Sequence, residues 1–531
     1  MDNFPAPTAI GRPAWQAPAT HFSASFGRLS ALQVFAIATL VHVLVWTVLP
    51  TLLLKNGSID ILEGLSWGHE WQMGYQKDPP LWPWITEAIT AWPSQSLWAC
   101  YLASQLCVAT VFLATWQLGR RMTTDLEALI GALLLEGVYY FNYPTPEFND
   151  IVLQMPFAAL FGWLLHRALT DNRLADWFLA GLFAGLGLAS RYSMGAYIVP
   201  MALFVLLHPQ ARRRLAQPGP WLLLLTAFLV FLPHMLWMYQ SGFISISYVA
   251  MRAPAAEASA GYALELLSFL GSQLAALVPM LALSAMLWRW RSAEPAPQSD
   301  MRSFNRAYLA TLALGPMAFS IGLSIVTQRP PRNMWAAPLF CFAGLLAATM
   351  IRPVLTGQRL RSFARAWVVV LLIPASVFAL TLLLRPMIPD NEPRTHFPGR
   401  QFASEVTNRW RTDMGHHLKY VIGDTWIAGN AAFYSADRPS TLFVHGGFSG
   451  SPWITPEKLK ESGAVLVWDV RHAGPDIPPN LAEMFPKAVL QPKITVHQNL
   501  STYELGVAYL LPEGTAAGEA RTQDEATDAV R

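Results

Sequence analysis

Long apolar stretches separated by short polar connections dominate residues 31–387 of this 531-residue chain. A helix that spans a membrane needs about 20 mostly apolar residues. Stretches of that kind cover 31–54, 95–118, 126–142, 151–168, 220–238, 263–288, 308–326, 334–351 and 366–385. A longer stretch at 175–208 is interrupted by Arg191-Tyr192 and predicts two short helices. The pattern therefore predicts a mainly α-helical, polytopic membrane protein with about eleven transmembrane helices.

The Arg residues of the connections predict which side of the membrane each loop faces. Short cytoplasmic loops carry an excess of Lys and Arg. Such residues recur in alternate connections, at Arg120-Arg121, Arg167 with Arg173, Arg212-Arg213-Arg214, Arg289 with Arg291, and Arg352 to Arg365. This order places residues 1–30 in the cytoplasm and residues from 388 onward outside. It requires two helices in the 175–208 stretch, and it leaves the loops 55–93, 143–150, 239–262 and 327–333 outside.

Composition supports one membrane domain with one appended water-facing domain. Hydrophobic residues make up 53% of the chain and charged residues 13%, whereas soluble domains carry about 25% charged residues. The net charge of +3 is too small to indicate nucleic-acid binding. All three cysteines fall in apolar stretches, so no disulfide framework is expected. The start of the chain predicts no cleavable signal peptide.

The segment 388–511 reads as a small α/β domain. Strands are predicted at 418–422, 441–445 and 464–470, with helices at 425–434 and 456–462 between them. This alternation favours a partly parallel sheet. Gly423-Asp424 and His445-Gly446-Gly447 lie at strand ends, where α/β folds place ligands, but no chemistry is assigned to them. Residues 512–531 are predicted to be disordered.

The first outside loop holds the strongest candidates for chemistry. Asp60, Glu63 and Trp67 share one face of a short predicted helix. That helix is expected to lie along the membrane interface, held by the loop's tryptophans Trp67, Trp71, Trp82 and Trp84. A carboxylate there suits a general base that deprotonates a hydroxyl. The competing interpretation is a solvated loop with an aromatic belt.

Other outside segments offer partners for a second reactant. Asn149 and Asp150 stand where a helix N-cap belongs, and they could also face a substrate. Arg191 interrupts an apolar stretch and suits a phosphate, although an Arg snorkelling from a helix end explains it equally well. Arg329 and Arg332 form a late pair of cations suited to an anionic head group. His234 is interpreted as a core histidine with its hydrogen bonds satisfied.

These segments together resemble one family. The stretch from Asp60 through Glu63 and Trp67 to Pro79-Pro80-Leu81 resembles the first periplasmic loop of bacterial polyprenyl-phosphate-dependent glycosyltransferases of the GT-C fold. These enzymes are related to protein O-mannosyltransferases and the lipid A aminoarabinose transferase. The similarity covers roughly residues 30–350 and favours the rhizobial galacturonosyltransferase-like branch. Phe148-Asn149, Ser190-Arg191-Tyr192, and Arg332 with Trp335 also match.

The resemblance implies an inverting transfer from a lipid-linked sugar in the bacterial inner membrane, with the C-terminal domain periplasmic. Asp60 would be the catalytic base, with Glu63 as second candidate. The donor phosphate would be held by Arg191, Arg332 and Arg329. Substrate contacts are expected from Lys77, Asp78, Asn149, Asp150 and Tyr192. Two departures stand out: Asp78 replaces a frequent His, which makes it an alternative acid, and Arg191 replaces a frequent Lys.

No cofactor is implied, because the leaving phosphate is already a stabilised anion; a divalent metal is compatible with the chemistry but not required. The expected partners are a polyprenyl-phosphate-linked sugar, a lipid, glycan or protein acceptor, and membrane lipids. One rival function is a lipid or solute transporter without bond chemistry. Against it, the two halves show no internal repeat and the charges gather at one face. A second rival is a non-catalytic scaffold that presents the C-terminal domain.

Overall fold

The computed structural model describes residues 29–91, 96–252, 259–293, 299–388 and 393–513. Nearly all of the expected cytoplasmic segment 1–30, and the expected disordered tail from 514 onward, lie outside these residues. The described part consists of a helical membrane domain followed by a C-terminal α/β domain.

Seven helices are long and apolar enough to cross a membrane, counted over the described residues. They are α1 (Ala31–Leu53), α4 (Trp98–Met122), α6 (Asp150–Asp171), α10 (Pro218–Gln240), α12 (Ser259–Trp288), α13 (Asp300–Thr327) and α15 (Gly357–Leu384). The shorter elements are α2 (Ile59–Gly68), α3 (Leu81–Thr90), α5 (Asp125–Leu134), α7 (Leu174–Ser190), α8 (Gly195–Leu207), α9 (Pro209–Arg212), α11 (Ile244–Arg252) and α14 (Ala343–Ile351).

If each of two bent pairs is one span, nine helical segments of the described chain are long and apolar enough to cross a membrane. The helical segment Tyr192–Leu207 bends by 88° into Pro209–Ala216, and Asn333–Phe340 bends by 52° into Ala343–Ile351. The 175–208 stretch does form two helices, α7 and α8, broken at Arg191 as predicted. With 17 residues, α7 is about 25 Å long, slightly short of the hydrocarbon core of about 30 Å.

The stretch 126–142 is not the single helix that hydropathy predicts. After α5 the chain passes into two 3₁₀ turns, Leu135–Gly137 and Tyr139–Phe141. Three hydrogen bonds account for the break. Buried Glu136 binds His42 of α1 at 2.9 Å, and the Asn142 amide donates to the carbonyls of Glu136 and Val138. Carbonyls freed from helical bonding inside a membrane need such partners. This segment is therefore too irregular to count as a regular span.

Small residues allow the membrane helices to pack closely. On α7, Gly181 and Gly185 lie against the backbone of α10, where an added Cβ would approach the Leu223 carbonyl and Val230 too closely. Such contacts are a common way for helices to associate in lipid. The opposite face of α10 exposes large apolar side chains to the surroundings, as expected of a lipid-facing helix.

The C-terminal domain contains a five-stranded sheet in the order β2-β1-β3-β5-β4. Its elements are α16 (Gly399–Met414), β1 (Tyr420–Gly423), α17 (Thr425–Tyr434), β2 (Ser440–Phe443), α18 (Gly447–Gly450), α19 (Pro456–Ser462), β3 (Ala464–Asp469), α20 (Val470–Ala473), α21 (Pro479–Met484), β4 (Val489–Gln498) and β5 (Ser501–Leu510). β1 pairs in parallel with β2 and β3, which confirms the partly parallel sheet. The antiparallel hairpin β4–β5 was not predicted.

The C-terminal domain docks directly onto the first loop of the membrane domain. α17 packs on α2, with Gly429 against Leu62. The Asn56 side chain donates to Asn430 at 2.8 Å. Arg438 forms two bonds to the Glu87 carboxylate of α3, at 2.7 and 2.6 Å. This docking encloses α2 between the two domains.

Candidate active site

Most of α2, from Ile61 to Gly68, is buried within the protein. Trp67 stacks on Tyr75 with ring centroids 5.3 Å apart and meets Trp82 edge-on at 6.1 Å. Both tryptophans are 1% exposed, so they belong to the protein core. The expectation that Trp67 and Trp82 anchor the loop as exposed side chains of an interfacial belt is therefore wrong, because both pack inside the protein and Trp67 also meets Phe443 of the C-terminal domain. Trp71 is exposed and Trp84 is half-buried.

Asp60 is oriented by Asn149. The Asn149 amide nitrogen donates to Asp60 Oδ2 at 2.9 Å. The amide oxygen of the same side chain accepts the Val152 backbone N–H at 3.0 Å and so caps α6. Asn149 therefore serves both as the expected N-cap and as a direct partner of the first loop. Asp60 itself is half-buried, which leaves its carboxylate accessible to a reactant.

Glu63 is held by Lys77. Lys77 Nζ lies 2.6 Å from Glu63 Oε2 and 3.8 Å from Asp78 Oδ2. Burial raises the pKa of Glu63, and the nearby charge of Asp60 adds to this against the opposing effect of Lys77. Although burial lowers it, the pKa of Lys77 is raised overall by the carboxylates of Glu63 and Asp78. Glu63 is thus less available as a base than Asp60.

Arg191 lies between α7 and α8 and forms an ion pair with Asp150, the first residue of α6. Its guanidinium also lies over the Trp335 ring, 5.4 Å from the centroid. It is attracted to the charges of Asp78 and Asp60. Asp150 therefore positions Arg191, and Arg191 joins the first loop to the late segment that carries Trp335.

Asp78 and Glu147 complete an acidic cluster with Asp60, Glu63 and Asp150. Burial raises the pKa of Asp78, with Lys77 and Arg191 opposing the shift. Burial, with a contribution from the charge of Asp60, raises the pKa of Glu147 to about 7. Sequence reasoning missed Glu147, although its place two residues before Asn149 in an outside loop was a usable signal. Lys77 and Arg191 form ion pairs with members of this cluster, whose five carboxyl groups outnumber these two cations.

Tyr192 supports the site through His234. The Tyr192 hydroxyl lies 2.8 Å from His234 Nε2, and His234 Nδ1 lies 2.8 Å from the Met73 carbonyl. His234 is buried with both ring nitrogens bonded, which confirms its interpretation as a core histidine. The pair fixes the turn at Gly74, where Trp237 and His234 leave no room for a side chain.

Arg332 and Arg329 lie at the edge of this arrangement. Arg332 is exposed and directly precedes the 3₁₀ helix Asn333–Phe340, its carbonyl accepting the Trp335 N–H at 3.0 Å. Arg329 is half-buried at the end of α13. Within the described chain neither guanidinium forms an ion pair. The structure brings Arg332 to the segment that contacts Arg191 and leaves Arg329 without a direct contact to the cluster.

The arrangement can perform acid–base chemistry beside a phosphate. A half-buried carboxylate held by an amide donor suits proton abstraction, and guanidinium groups suit a phosphate leaving group. Over the residues that the structure describes, no group of three or more His, Cys, Asp or Glu is arranged to hold a metal ion.

The chain is similar in sequence to known sugar transferases. The family described as dolichyl-phosphate-mannose-protein mannosyltransferase matches residues 77–237. The lipopolysaccharide core galacturonosyltransferase RgtA of Rhizobium johnstonii is 25% identical over 386 residues, which cover 70% of this chain and 74% of that protein. RgtB of the same organism, with the same described activity, is 23% identical over 439 residues, which cover 77% and 82%.

The fold matches a solved structure along most of its length. The crystal structure of ArnT from Cupriavidus metallidurans bound to undecaprenyl phosphate aligns with a TM-score of 0.59 at 12% identity, over 91% of this chain and 98% of that one. The family resemblance is thereby confirmed. The chain is similar in sequence to these glycosyltransferases, shares the fold of ArnT, and has the apolar helices of a multi-pass membrane protein.

Proposed function

We propose that this enzyme transfers a sugar from a polyprenyl-phosphate-linked donor to a hydroxyl acceptor, with inversion at the anomeric carbon. The observation that carries the proposal is the pairing of Asp60 with Asn149 in the same cluster as Arg191. The undecaprenyl phosphate of the similar ArnT structure supports a lipid-linked donor. The relatives RgtA and RgtB support an acceptor sugar in the lipopolysaccharide core; another lipid, glycan or protein acceptor remains the wider class.

In this mechanism Asp60 is the general base. It removes the proton of the acceptor hydroxyl while that oxygen attacks the anomeric carbon. The bond from the anomeric carbon to the phosphate oxygen breaks, and its electron pair leaves with the polyprenyl phosphate. Glu63 and Asp78 stay bound around Lys77 and shape the cavity, with Glu63 as the alternative base.

Arg191 and Arg332 stabilise the leaving phosphate. Electrostatic stabilisation of developing charge is often the largest contribution to catalysis. Arg191 forms an ion pair with Asp150, so the phosphate shares this cation with that carboxylate. Arg332 is exposed and supplies the second positive charge as the donor head group enters. Arg329 contributes at longer range, and Tyr192 holds the loop that faces the sugar.

The topology belongs to the same proposal. Counting α7 and the irregular segment from Asp125 to Phe141 with the nine spans gives eleven crossings. An odd number puts the N-terminal segment in the cytoplasm and the C-terminal domain, with the cluster it covers, on the periplasmic side of the bacterial inner membrane. The charge order of the connections supports this orientation.

Reconstituted vesicles provide the test. The purified protein is incubated with a radiolabelled polyprenyl-phosphate sugar and a glycolipid acceptor. We expect label to move covalently to the acceptor, with an inverted anomeric configuration by NMR. A labelled donor that crosses the bilayer without bond cleavage would instead support the transporter. The family similarity favours the enzyme over that alternative.

A further inference from the structure

A cleft of about 670 Å³ lies in the C-terminal domain, at the carboxyl ends of its parallel strands. Asp424 follows β1, Val444 follows β2 and Asp469 ends β3, and all three line the cleft. A second hollow of about 530 Å³ shares Asp424 and Val444 and extends to His445. The neighbours of β1 are β2 on one side and β3 on the other. This is the reversal of strand order at which α/β folds bind ligands.

The lining combines aromatic rings with hydrogen-bonding groups. Phe397 packs against Trp426, with ring centroids 6.0 Å apart, and against Tyr503 at 5.1 Å. Arg394 and Asn480 stand at the rim with exposed side chains. The cleft therefore offers flat apolar ring surfaces beside side chains that donate hydrogen bonds, accept them, or do both.

Two features disfavour a phosphate or nucleotide in this cleft. The N-terminus of α17, which would attract an anion, is already capped by Asp424: its carboxylate accepts the N–H groups of Trp426 and Ile427 at 2.8 and 3.0 Å. The guanidinium of Arg471 is directed to Asp469, 3.4 Å away. A sugar fits better, because its ring presents C–H faces to aromatic surfaces and its hydroxyls both donate and accept.

The cleft is attached to the catalytic segment on both sides. Thr395, between the lining residues Arg394 and Phe397, accepts the backbone N–H groups of Lys55 and Asn56 at 3.0 and 2.7 Å. These residues lead directly into α2. On the other side Gly446, next to His445 of the second hollow, lies against the Gln76 side chain of the first loop.

From these observations we infer that the cleft binds the saccharide portion of the acceptor and presents its hydroxyl to the base on α2. The inference rests on the proposed function and deepens it, since it assigns acceptor recognition to the C-terminal domain. It leaves recognition of the lipid-linked donor to the membrane domain.

The test measures binding and turnover with the full-length protein in nanodiscs. The probe is the core oligosaccharide released from lipopolysaccharide by mild acid, with affinity measured by isothermal titration calorimetry. The double variant Arg394→Gln, Asn480→Ala removes two exposed rim contacts, and we expect its Kd for the oligosaccharide to rise by about tenfold or more. The matched control, Lys487→Gln with Asn408→Ala, changes exposed residues outside the cleft and should leave the Kd unchanged.

Transfer kinetics separate this inference from the proposed function. We expect the rim variant to raise the acceptor KM by about tenfold while kcat and the donor KM stay near the wild-type values. An unchanged Kd and acceptor KM in the rim variant, with transfer intact, would overturn the cleft and leave the function standing. Cleft-dependent oligosaccharide binding without any transfer from a lipid-linked donor would support the cleft and overturn the function.

Discussion

Replacement of Asn149 separates the orientation of Asp60 from the stability of α6. Asn149 caps the helix through its oxygen and binds Asp60 through its nitrogen, so a substitution can remove one role and keep the other. Asn149→Ser keeps a capping oxygen and loses the amide N–H group that donates to Asp60, since the shorter hydroxyl is used at the cap. Asn149→Asp also keeps the cap but places a second carboxylate at the 2.9 Å contact with Asp60.

The expected magnitudes follow from that contact. A hydrogen bond to a charged group contributes about 1.5–3 kcal/mol, so Asn149→Ser should lower kcat by about tenfold to a hundredfold. Two carboxylates in contact repel by about 4 kcal/mol at the effective dielectric near a protein surface. The pair in Asn149→Asp therefore holds a proton at neutral pH. In Asn149→Asp, we expect the pH below which kcat/KM falls to be higher than in the wild type by about three pH units.

The assay is the pH dependence of sugar transfer. It is measured in a Glu147→Gln background, because Glu147 titrates in the same range with a pKa of about 7. Activity of Asn149→Asp should recover as the pH rises, whereas that of Asn149→Ser should stay low with an unshifted profile. Thermal unfolding checks that both variants keep the cap. Parallel profiles for the two variants would refute Asp60 as the base.

Three further predictions concern neighbouring groups. Burial raises the folded-state pKa of Glu147 from 4.5 to about 7, so Glu147 destabilises the fold as the pH rises through this range. Glu147→Gln should therefore stabilise the protein by about 3 kcal/mol at pH 8 and by almost nothing at pH 4. Thermal unfolding measures both values, and equal shifts at the two pH values would contradict this. Arg191→Gln leaves Asp150 buried without its cation and should lower stability by about 3–5 kcal/mol; adding Asp150→Asn should restore folding but not transfer, and restored transfer would exclude a role for Arg191. Arg438→Gln should loosen the contact with Glu87 and speed hydrogen exchange in α17; unchanged exchange would show that this pair does not secure docking.

Local signals made several elements predictable from the sequence. Asp424 is an N-cap directly before α17, and the bounds of that helix match the prediction. Arg191 also marked the break between α7 and α8, because a cation is energetically unfavourable within an apolar stretch. The hairpin β4–β5 was not predicted because Pro492 lies at a register irregularity in β4. This irregularity interrupts the alternation of apolar and polar residues that marks a strand.

Contacts between distant segments could not be predicted in this way. Asn56 and Asn430 are 374 positions apart and meet only after the C-terminal domain docks. That docking packs α17 on α2 and buries side chains that the sequence alone presents as exposed. The prediction of one helix at 126–142 was wrong for a related reason. Glu136 pairs with His42 of another helix, and hydropathy carries no information on such a partner.

The role of Asp60 as the general base is tested most directly by the transfer activity of Asp60→Asn. The substitution keeps the size of the side chain and removes the negative charge that accepts the proton. We expect kcat to fall by about a thousandfold or more, while the protein stays inserted and binds the lipid-linked donor as the wild type does. Transfer at more than about a tenth of the wild-type rate would contradict the assignment of Asp60 as the base.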